Sequence, residues 1–221
     1  MLFLLGGNDA GVQLPGAVRV KLYQRDTSVY SYKVRLLLAF LQLPHEAIAV
    51  KRLSDGRNDV DAAYLQLNPR GQIPTLDDDG FVLWGSTAIL TYLALRHDPV
   101  RRWLPPDPRL VAEVAQWLEL AQNEVRTGLF LARAISRFGY SGNLETAQSN
   151  GRAALRLLEQ RLREREWLVG EGPTLADLAC FPEVALTEDA EVSQAEFPGV
   201  RGWLARFREL ERFVPPHIPA A

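Results

Sequence analysis

Hydrophobic and polar residues in the first hundred positions follow two different periods. From Val18 to Tyr23 apolar residues occupy every second position, which is typical of a strand. From Tyr30 to Leu43 they recur at helical spacing until Pro44 ends the run. Further along, the same periods predict strands at 45–50, 73–76 and 81–84, and helices at 59–67 and 86–96. This order of elements predicts a small α/β domain.

Only the helical period persists in the second half of the chain. A segment with four prolines, 99–108, separates the two halves and predicts a linker. Beyond it, the pattern predicts helices at 110–138, 144–167, 174–186 and 199–210. The expected organisation is an N-terminal extension at 1–16, an α/β domain at 17–98, the linker, and an all-helical domain at 109–221.

Composition narrows the classes of partner. The formal net charge is −2, which gives no general attraction to nucleic acid or to an anionic membrane, and no apolar run approaches the length of a membrane span. The single cysteine, Cys180, excludes an intrachain disulfide and fits a reducing, cytoplasmic compartment. The three histidines share no spacing, so no metal site is expected. We therefore expect no nucleic-acid partner and no membrane partner.

The segment RGQIPTLDDDGFVLWGSTAIL, at 70–90, carries most of the candidate chemistry. Pro74 at the start of a strand leaves the backbone N–H and C=O of Ile73 unpaired, so they are able to bind an extended peptide. Ser86 is expected to cap the next helix, where a hydroxyl and free amides suit a carboxylate. These features indicate a small peptide ligand with a charged end. The alternative is a cis-proline turn and a serine cap with no ligand at all.

Four segments resemble the glutathione transferase superfamily, and in particular its bacterial serine-type cytosolic members. They are LYQRDTSVYSYKVRLLLAF (22–40), NPRGQIPTLDDDG (68–80), LWGSTAILTYLA (83–94) and GPTLADLAC (172–180). They occur in the family's order and extend the resemblance over residues 17–213. The resemblance implies a thioredoxin-like N-terminal domain, an all-α C-terminal domain, a homodimer, and glutathione as co-substrate.

The resemblance implies that Ser28 is the catalytic residue. In serine-type members a hydroxyl in the first loop donates a hydrogen bond to the glutathione sulfur and favours the thiolate. A donor at a helix N-terminus is chemically suited to lower a thiol pKa. Capping of the helix is the simpler role for Ser28, and both roles are compatible. Thr27, Tyr23 and Tyr30 are the other hydroxyl donors nearby.

The resemblance also implies a set of glutathione-binding residues. Ile73 would pair with the cysteinyl backbone, Pro74 would set the cis geometry, and Ser86 would bind the γ-glutamyl carboxylate. Gln72 and Arg70 lie near enough in sequence to help with the glycine end. Together with Gly85, which precedes the serine, these residues form the expected binding site.

Gly85 departs from the family's pattern, which has an acidic residue or glutamine there to contact the γ-glutamyl amino group. Losing that charge-assisted hydrogen bond would remove about 1.5–3 kcal/mol of binding free energy. Asp77, Asp78 or an acid of a partner subunit could replace the contact. Alternatively the position is conformationally strained, and glycine tolerates it at little cost.

The expected function is activation of the glutathione thiol for attack on an apolar electrophile. A non-catalytic binding protein of the same fold and a pathway-specific glutathione-dependent isomerase are the alternatives. We expect Cys180 to be a buried structural thiol and Thr174 with Asp177 to form a capping box at the start of a helix. The tryptophans at 103, 117, 167 and 203 are expected to be core residues, and Trp117 is the best candidate among them to face the cleft.

Overall fold

The computed structural model describes residues 20–54 and 56–217, so the predicted extension at 1–16 lies outside the described residues. The N-terminal half is a four-stranded mixed sheet in the order β2–β1–β3–β4, with β1 and β2 parallel and the other pairs antiparallel. Its elements are β1 Val20–Gln24, α1 Val29–Phe40, β2 His45–Ala49, α2 Ala62–Leu67, β3 Thr75–Asp78, β4 Phe81–Trp84 and α3 Ser86–His97. The predicted thioredoxin-like class is confirmed.

In the described residues of the C-terminal half, all of the secondary-structure elements are helices, and loops connect them. Its helices are α4 Pro108–Gln122, α5 Leu131–Phe138, α6 Leu144–Leu162, α7 Leu175–Ala185 and α8 Pro198–Arg208. A π-helical turn, Arg126–Phe130, precedes α5, and a 3-10 turn, Glu188–Ala190, follows α7. No helix within 20–54 and 56–217 is both long and apolar enough to cross a membrane.

The prediction of one continuous helix over 110–138 was wrong. The helix ends at Gln122, and the π-helical turn then widens the backbone before α5 begins. Gly128 in that turn lies directly against the backbone of Gly151 on α6. A Cβ at Gly128 would overlap the backbone of α6, whereas a Cβ at Gly151 would meet the side chain of Leu129, so the contact requires glycine at position 128. The position of this turn against α6 therefore fixes the direction in which its own side chains and those of α5 point.

The capping box predicted at the start of α7 is present. Thr174 accepts from Ala176, and Asp177 accepts from the Thr174 amide at 2.9 Å. The Asp177 carboxylate also accepts from the indole N–H of Trp203 at 2.9 Å, which ties α7 to α8. Burial raises the pKa of Asp177 to about 6. These residues fix the helical core and lie outside the cleft described below.

One ion pair joins the two halves of the molecule through their cores. Lys33 on α1 contacts Glu183 on α7, with 2.7 Å between Nζ and Oε1 and side chains 0% and 1% exposed. The ammonium also lies 5.1 Å from the Tyr30 ring centroid. Burial raises the pKa of Glu183, and the Lys33 charge opposes that rise. Each charge is tolerated because the other is there.

We expect Lys33→Met or Glu183→Leu alone to lower the free energy of unfolding by about 3–5 kcal/mol, because each leaves an unpaired buried charge. The double variant Lys33→Met/Glu183→Leu should recover most of the loss, since it removes both charges together. In Lys33→Met the deficit should shrink as pH falls, because the raised pKa lets Glu183 bind a proton in the folded state. Urea unfolding of the two single variants and the double variant at several pH values measures these changes in the free energy of unfolding. Additive losses in the double variant would contradict this account.

Candidate functional site

A cleft of about 970 Å³ lies between the sheet domain and the helical domain. The N-terminal side of its wall comes from the loops after β1 and β2, from residues 70–74, and from the start of α3. The opposite wall comes from Gln122, the π-helical turn, α5 and the loop after α5. All six residues predicted for the site line this cleft: Ser28, Gln72, Ile73, Pro74, Gly85 and Ser86.

Ser28 is the N-cap of α1, and its position leaves a proton available. Its Oγ accepts a hydrogen bond from the Ser31 amide at 3.2 Å, and its backbone is extended. Capping uses a lone pair of the hydroxyl, so the O–H is still able to donate to a ligand. The positive end of the α1 dipole is directed to the same place. This arrangement stabilises a negative charge placed beside Ser28.

The other hydroxyls near Ser28 differ in their positions. Thr27 and Tyr30 line the cleft, and Tyr23 is absent from its wall, with its ring centroid 5.4 Å from that of Tyr64. Burial and the nearby Glu183 carboxylate raise the pKa of Tyr30, so Tyr30 stays a neutral phenol at physiological pH. Its buried hydroxyl makes none of the described hydrogen bonds, and the nearby Arg126 guanidinium opposes the rise of its pKa. Of these candidate donors, Ser28 is the one that caps α1.

The peptide bond between Ile73 and Pro74 is cis, and two hydrogen bonds fix the carbonyl of the preceding residue. The Gln72 carbonyl accepts from Tyr64 Oη at 2.5 Å and from Asn68 Nδ2 at 2.7 Å. The β3 ladder begins only at Thr75, and the described backbone hydrogen bonds include none for the N–H or C=O of Ile73. β3 is an inner strand and not an edge strand, so these free groups lie just before the start of the ladder. They are available to an extended peptide in the cleft.

The prediction that Ser86 caps α3 was wrong. Gly85 is the N-cap, with φ +88° and ψ 122°, and Ser86 is the first residue of the helix. A single residue links β4 directly to α3, and its left-handed φ favours glycine. The Ser86 hydroxyl makes none of the described hydrogen bonds, and the first amide that donates a hydrogen bond within the helix is that of Ile89, to the carbonyl of Gly85. Gly85 and Ser86 line the cleft, so the Ser86 hydroxyl and the start of α3, whose first amides have no intrahelical acceptor, lie at its wall and suit a carboxylate.

Arginine is the most frequent residue in the wall of the cleft. Six line it, against the single carboxylate of Asp59. Of these arginines only Arg70 is predicted from the sequence, and its guanidinium lies 5.5 Å from the ring centroid of Trp84. Arg126, Phe130 and Arg133 were missed, although their spacing of four and three residues places them on one helical face.

Two further expectations concern residues outside the cleft. Cys180 is fully buried on α7, and burial raises the pKa of its thiol, so it is an unreactive core residue as predicted. Trp117 is also a core residue, 8% exposed, and it is absent from the wall of the cleft. It is therefore not the cleft residue that the sequence suggested. Within residues 20–54 and 56–217 no group of three or more His, Cys, Asp or Glu side chains is placed to hold a metal ion.

Family models match both halves of the chain. Residues 27–96 match the N-terminal domain of glutathione S-transferase, and residues 125–211 match its C-terminal domain. The solved glutathione S-transferase of Pseudomonas fluorescens Pf-5 superimposes with a TM-score of 0.83 at 30% identity, over 90% of this chain and 100% of that chain. The chain belongs to the glutathione transferase superfamily. Its cleft therefore lies in the fold that this superfamily shares.

Relatives within the glutathione transferase superfamily carry names for different reactions. Maleylacetoacetate isomerase of Rattus norvegicus is 28% identical over 198 residues, which cover 89% of this chain and 91% of that protein. Glutathione S-transferase GstB of Escherichia coli K12 is 26% identical, over 86% of this chain and 93% of that protein. A transferase homologue from Drosophila mojavensis, solved with bound glutathione, has a TM-score of 0.78 at 25% identity, over 88% and 89% of the two chains. The family is thus established by comparison, and the reaction is not.

Proposed function

We propose that this protein is a glutathione-dependent transferase that activates the glutathione thiol at Ser28. The observation that carries the proposal is that one cleft holds a hydroxyl donor at the N-terminus of α1, the free peptide groups of Ile73, and the uncapped first turn of α3. In a tripeptide with a thiol in its middle residue, the α3 turn suits the terminal carboxylate, Ile73 suits the middle backbone, and Ser28 suits the thiol.

In the proposed complex the γ-glutamyl carboxylate binds the Ser86 hydroxyl and the free amides at the start of α3. The cysteinyl backbone pairs with the N–H and C=O of Ile73, whose geometry Pro74 and the fixed Gln72 carbonyl maintain. The glycine end then lies toward Gln72 and Arg70, where a guanidinium suits a carboxylate. This pose directs the cysteinyl side chain to Ser28.

The proposed step begins when the thiol loses its proton to solvent. Ser28 donates its O–H to the sulfur and, together with the α1 dipole, stabilises the thiolate. The thiolate attacks an electrophilic carbon, a C–S bond forms, and the bond to the leaving group breaks with its electron pair. Phe130 and Phe138 on the opposite wall offer an apolar surface for the body of the electrophile.

A glutathione-dependent isomerase is the second candidate. It is supported by the relatives named maleylacetoacetate isomerase, which align over most of this chain. Such a reaction would share the thiolate and differ in its last step, because the sulfur adds to a conjugated double bond and then leaves again. The two candidates are separated by whether glutathione stays in the product.

The homodimer stays a prediction. Trp84, Leu95 and Val111 are exposed apolar residues on β4, α3 and α4, and contact through α3 and α4 is expected to cover such residues.

Ser28→Gly should raise the pKa of the bound glutathione thiol and lower kcat/KM at neutral pH by about tenfold or more, because a hydrogen bond to a charged sulfur is lost. Glycine is chosen because it lowers N-cap stability by only a few tenths of a kcal/mol, whereas alanine costs about 0.5–2 kcal/mol. The rise of activity with pH should move to higher pH. Thiolate absorbance and the pH profile of conjugation to an aromatic halide measure both effects.

Ser28→Thr is the matched control for that experiment, because it keeps both the hydroxyl and the cap. It should retain a near-normal thiol pKa. If Ser28→Gly conjugates as fast as the unmodified protein at every pH, Ser28 is not the activating group. Thr27→Val and Tyr30→Phe would then be the variants to compare.

Gly85→Glu should bind glutathione more tightly than Gly85→Ala. Both variants place a side chain at φ +88°, which costs about 1–3 kcal/mol in stability, and neither Cβ meets an atom within 4 Å. Only the glutamate is able to accept a charge-assisted hydrogen bond from the γ-glutamyl ammonium, which adds about 1.5–3 kcal/mol of binding free energy. Calorimetry on both variants, with thermal unfolding alongside, separates the effect of the carboxylate on glutathione affinity from the effect of backbone strain on stability.

Equal affinity of the glutamate and alanine variants would be the contrary result. It would mean that another acid already binds the ammonium or that glutathione does not lie across residue 85.

A further inference from the structure

The positive charge of the cleft extends across both of its walls. Arg52 comes from the loop after β2, and Arg133 comes from α5 on the opposite domain. Both guanidinium groups lie over the same Phe138 ring, 5.9 Å and 5.0 Å from its centroid. Arg52 also lies 4.9 Å from the ring centroid of Tyr140. Cations from the two domains thus meet at one aromatic cluster.

Carboxylates compensate only part of this charge. Arg133 pairs with Asp189 at 3.0 Å, and Asp189 also contacts Arg137 at 3.5 Å. Among the described residues no ion pair is found for Arg25, Arg52 or Arg126. Arg25 instead donates to the amide oxygen of Asn58 at 3.0 Å, and burial and the Arg52 charge lower its pKa. The like charges therefore repel one another in the absence of an anion.

Glutathione does not account for all of these cations. Arg133 is paired with Asp189, whereas three other arginines of the wall, Arg25, Arg52 and Arg126, have no ion pair among the described residues. The proposed glutathione pose uses Ser86 and the α3 amides for one carboxylate and the region of Gln72 and Arg70 for the other. The helical-domain wall, where Arg126 and Arg133 lie, is left for the second substrate.

Arg126 has a setting that suits a ligand on this wall. The π-helical turn begins at Arg126, which is exposed, and Phe130 follows one turn later with its ring centroid 5.1 Å from that of Tyr30. The Tyr30 hydroxyl is buried, and the Arg126 guanidinium lies close enough to it to oppose the rise of its pKa. A buried phenol, a guanidinium for which no ion pair is found among the described residues, and two aromatic rings therefore lie in one part of the cleft.

We propose that the second substrate is a carboxylate-bearing electrophile with a planar aromatic or conjugated body, whose carboxylate binds between Arg52 and Arg126 and whose body lies along Phe130 and Phe138. This inference rests on the proposed function and names its substrate class. It replaces the expected apolar electrophile with an anionic one. Arg133 and Arg137 share the single carboxylate of Asp189, so this group of three residues keeps one net positive charge beside the site.

The test compares two aryl chlorides that share two activating nitro groups and differ at one position. One has a carboxylate para to chlorine, and the other has a carboxamide there. Each kcat/KM is divided by the uncatalysed rate constant with the glutathione thiolate, which removes the difference in intrinsic reactivity. We expect the corrected value for the carboxylate to exceed that for the amide by about tenfold or more, and the ratio to fall as salt is added.

Arg126→Gln and Arg52→Gln should each bring that ratio down toward unity. Arg165→Gln is the matched control, because it removes the same charge from an exposed residue outside the cleft, and its ratio should not change. Circular dichroism and thermal unfolding verify that the variants are folded. A ratio at or below unity in the unmodified protein would overturn the proposal. So would a ratio that is the same in Arg126→Gln, Arg52→Gln and Arg165→Gln.

Binding of the two preformed S-aryl glutathione conjugates, measured by calorimetry, provides a readout that needs no turnover. If neither chloride reacts and the carboxylate conjugate still binds about tenfold more tightly, the transferase proposal fails and the anionic site stands. If both chlorides react and the amide conjugate binds as well as the carboxylate, the transferase proposal stands and the anionic site fails.

Discussion

The geometry of the cleft depends on the buried ion pair between Lys33 and Glu183. Lys33 lies one turn beyond Ser28 and Tyr30 on α1, and Glu183 belongs to the α7 helix at the centre of the helical domain. Two charges removed from water tolerate almost no separation, because moving either one away exposes an unpaired charge to an apolar interior. The pair therefore sets how the α/β domain sits on the helical domain. The cleft is the space that this arrangement leaves open at the N-terminal end of α1.

The two walls of the cleft offer different chemical groups because they belong to different domains. The α/β wall offers unpaired backbone groups and helix N-termini, at Ile73, Ser86 and Ser28, which suit an extended peptide with a carboxylate and a thiolate. The helical wall offers aromatic rings and guanidinium groups, which the π-helical turn directs inward. The first wall is adapted to glutathione in our proposal, and the second selects the molecule that glutathione attacks. Recognition of the common co-substrate and choice of the electrophile are thus separated in space.

Sequence patterns predicted the parts of this arrangement that depend on local structure. Alternation and helical spacing gave the element order, and the residues from Gln72 to Ser86 were found because proline, glycine and serine mark specific backbone positions. The cap of α3 was assigned to the wrong residue, since only the structure shows that a single residue joins β4 to α3. The Lys33–Glu183 pair and the arginines of the helical wall were missed, because their roles arise from contacts between distant segments. No local period reveals that Gly128 packs on Gly151 and turns Arg126 toward the cleft.

A crystal structure of the protein with bound glutathione would show which groups of the cleft hold the tripeptide. We expect antiparallel backbone hydrogen bonds between the cysteinyl residue and Ile73, the γ-glutamyl carboxylate at the Ser86 hydroxyl and the α3 amides, and the sulfur within hydrogen-bond distance of Ser28 Oγ. A tripeptide bound elsewhere in the cleft, or a sulfur whose nearest donor is Thr27 or Tyr30 with Ser28 turned away, would contradict this expectation.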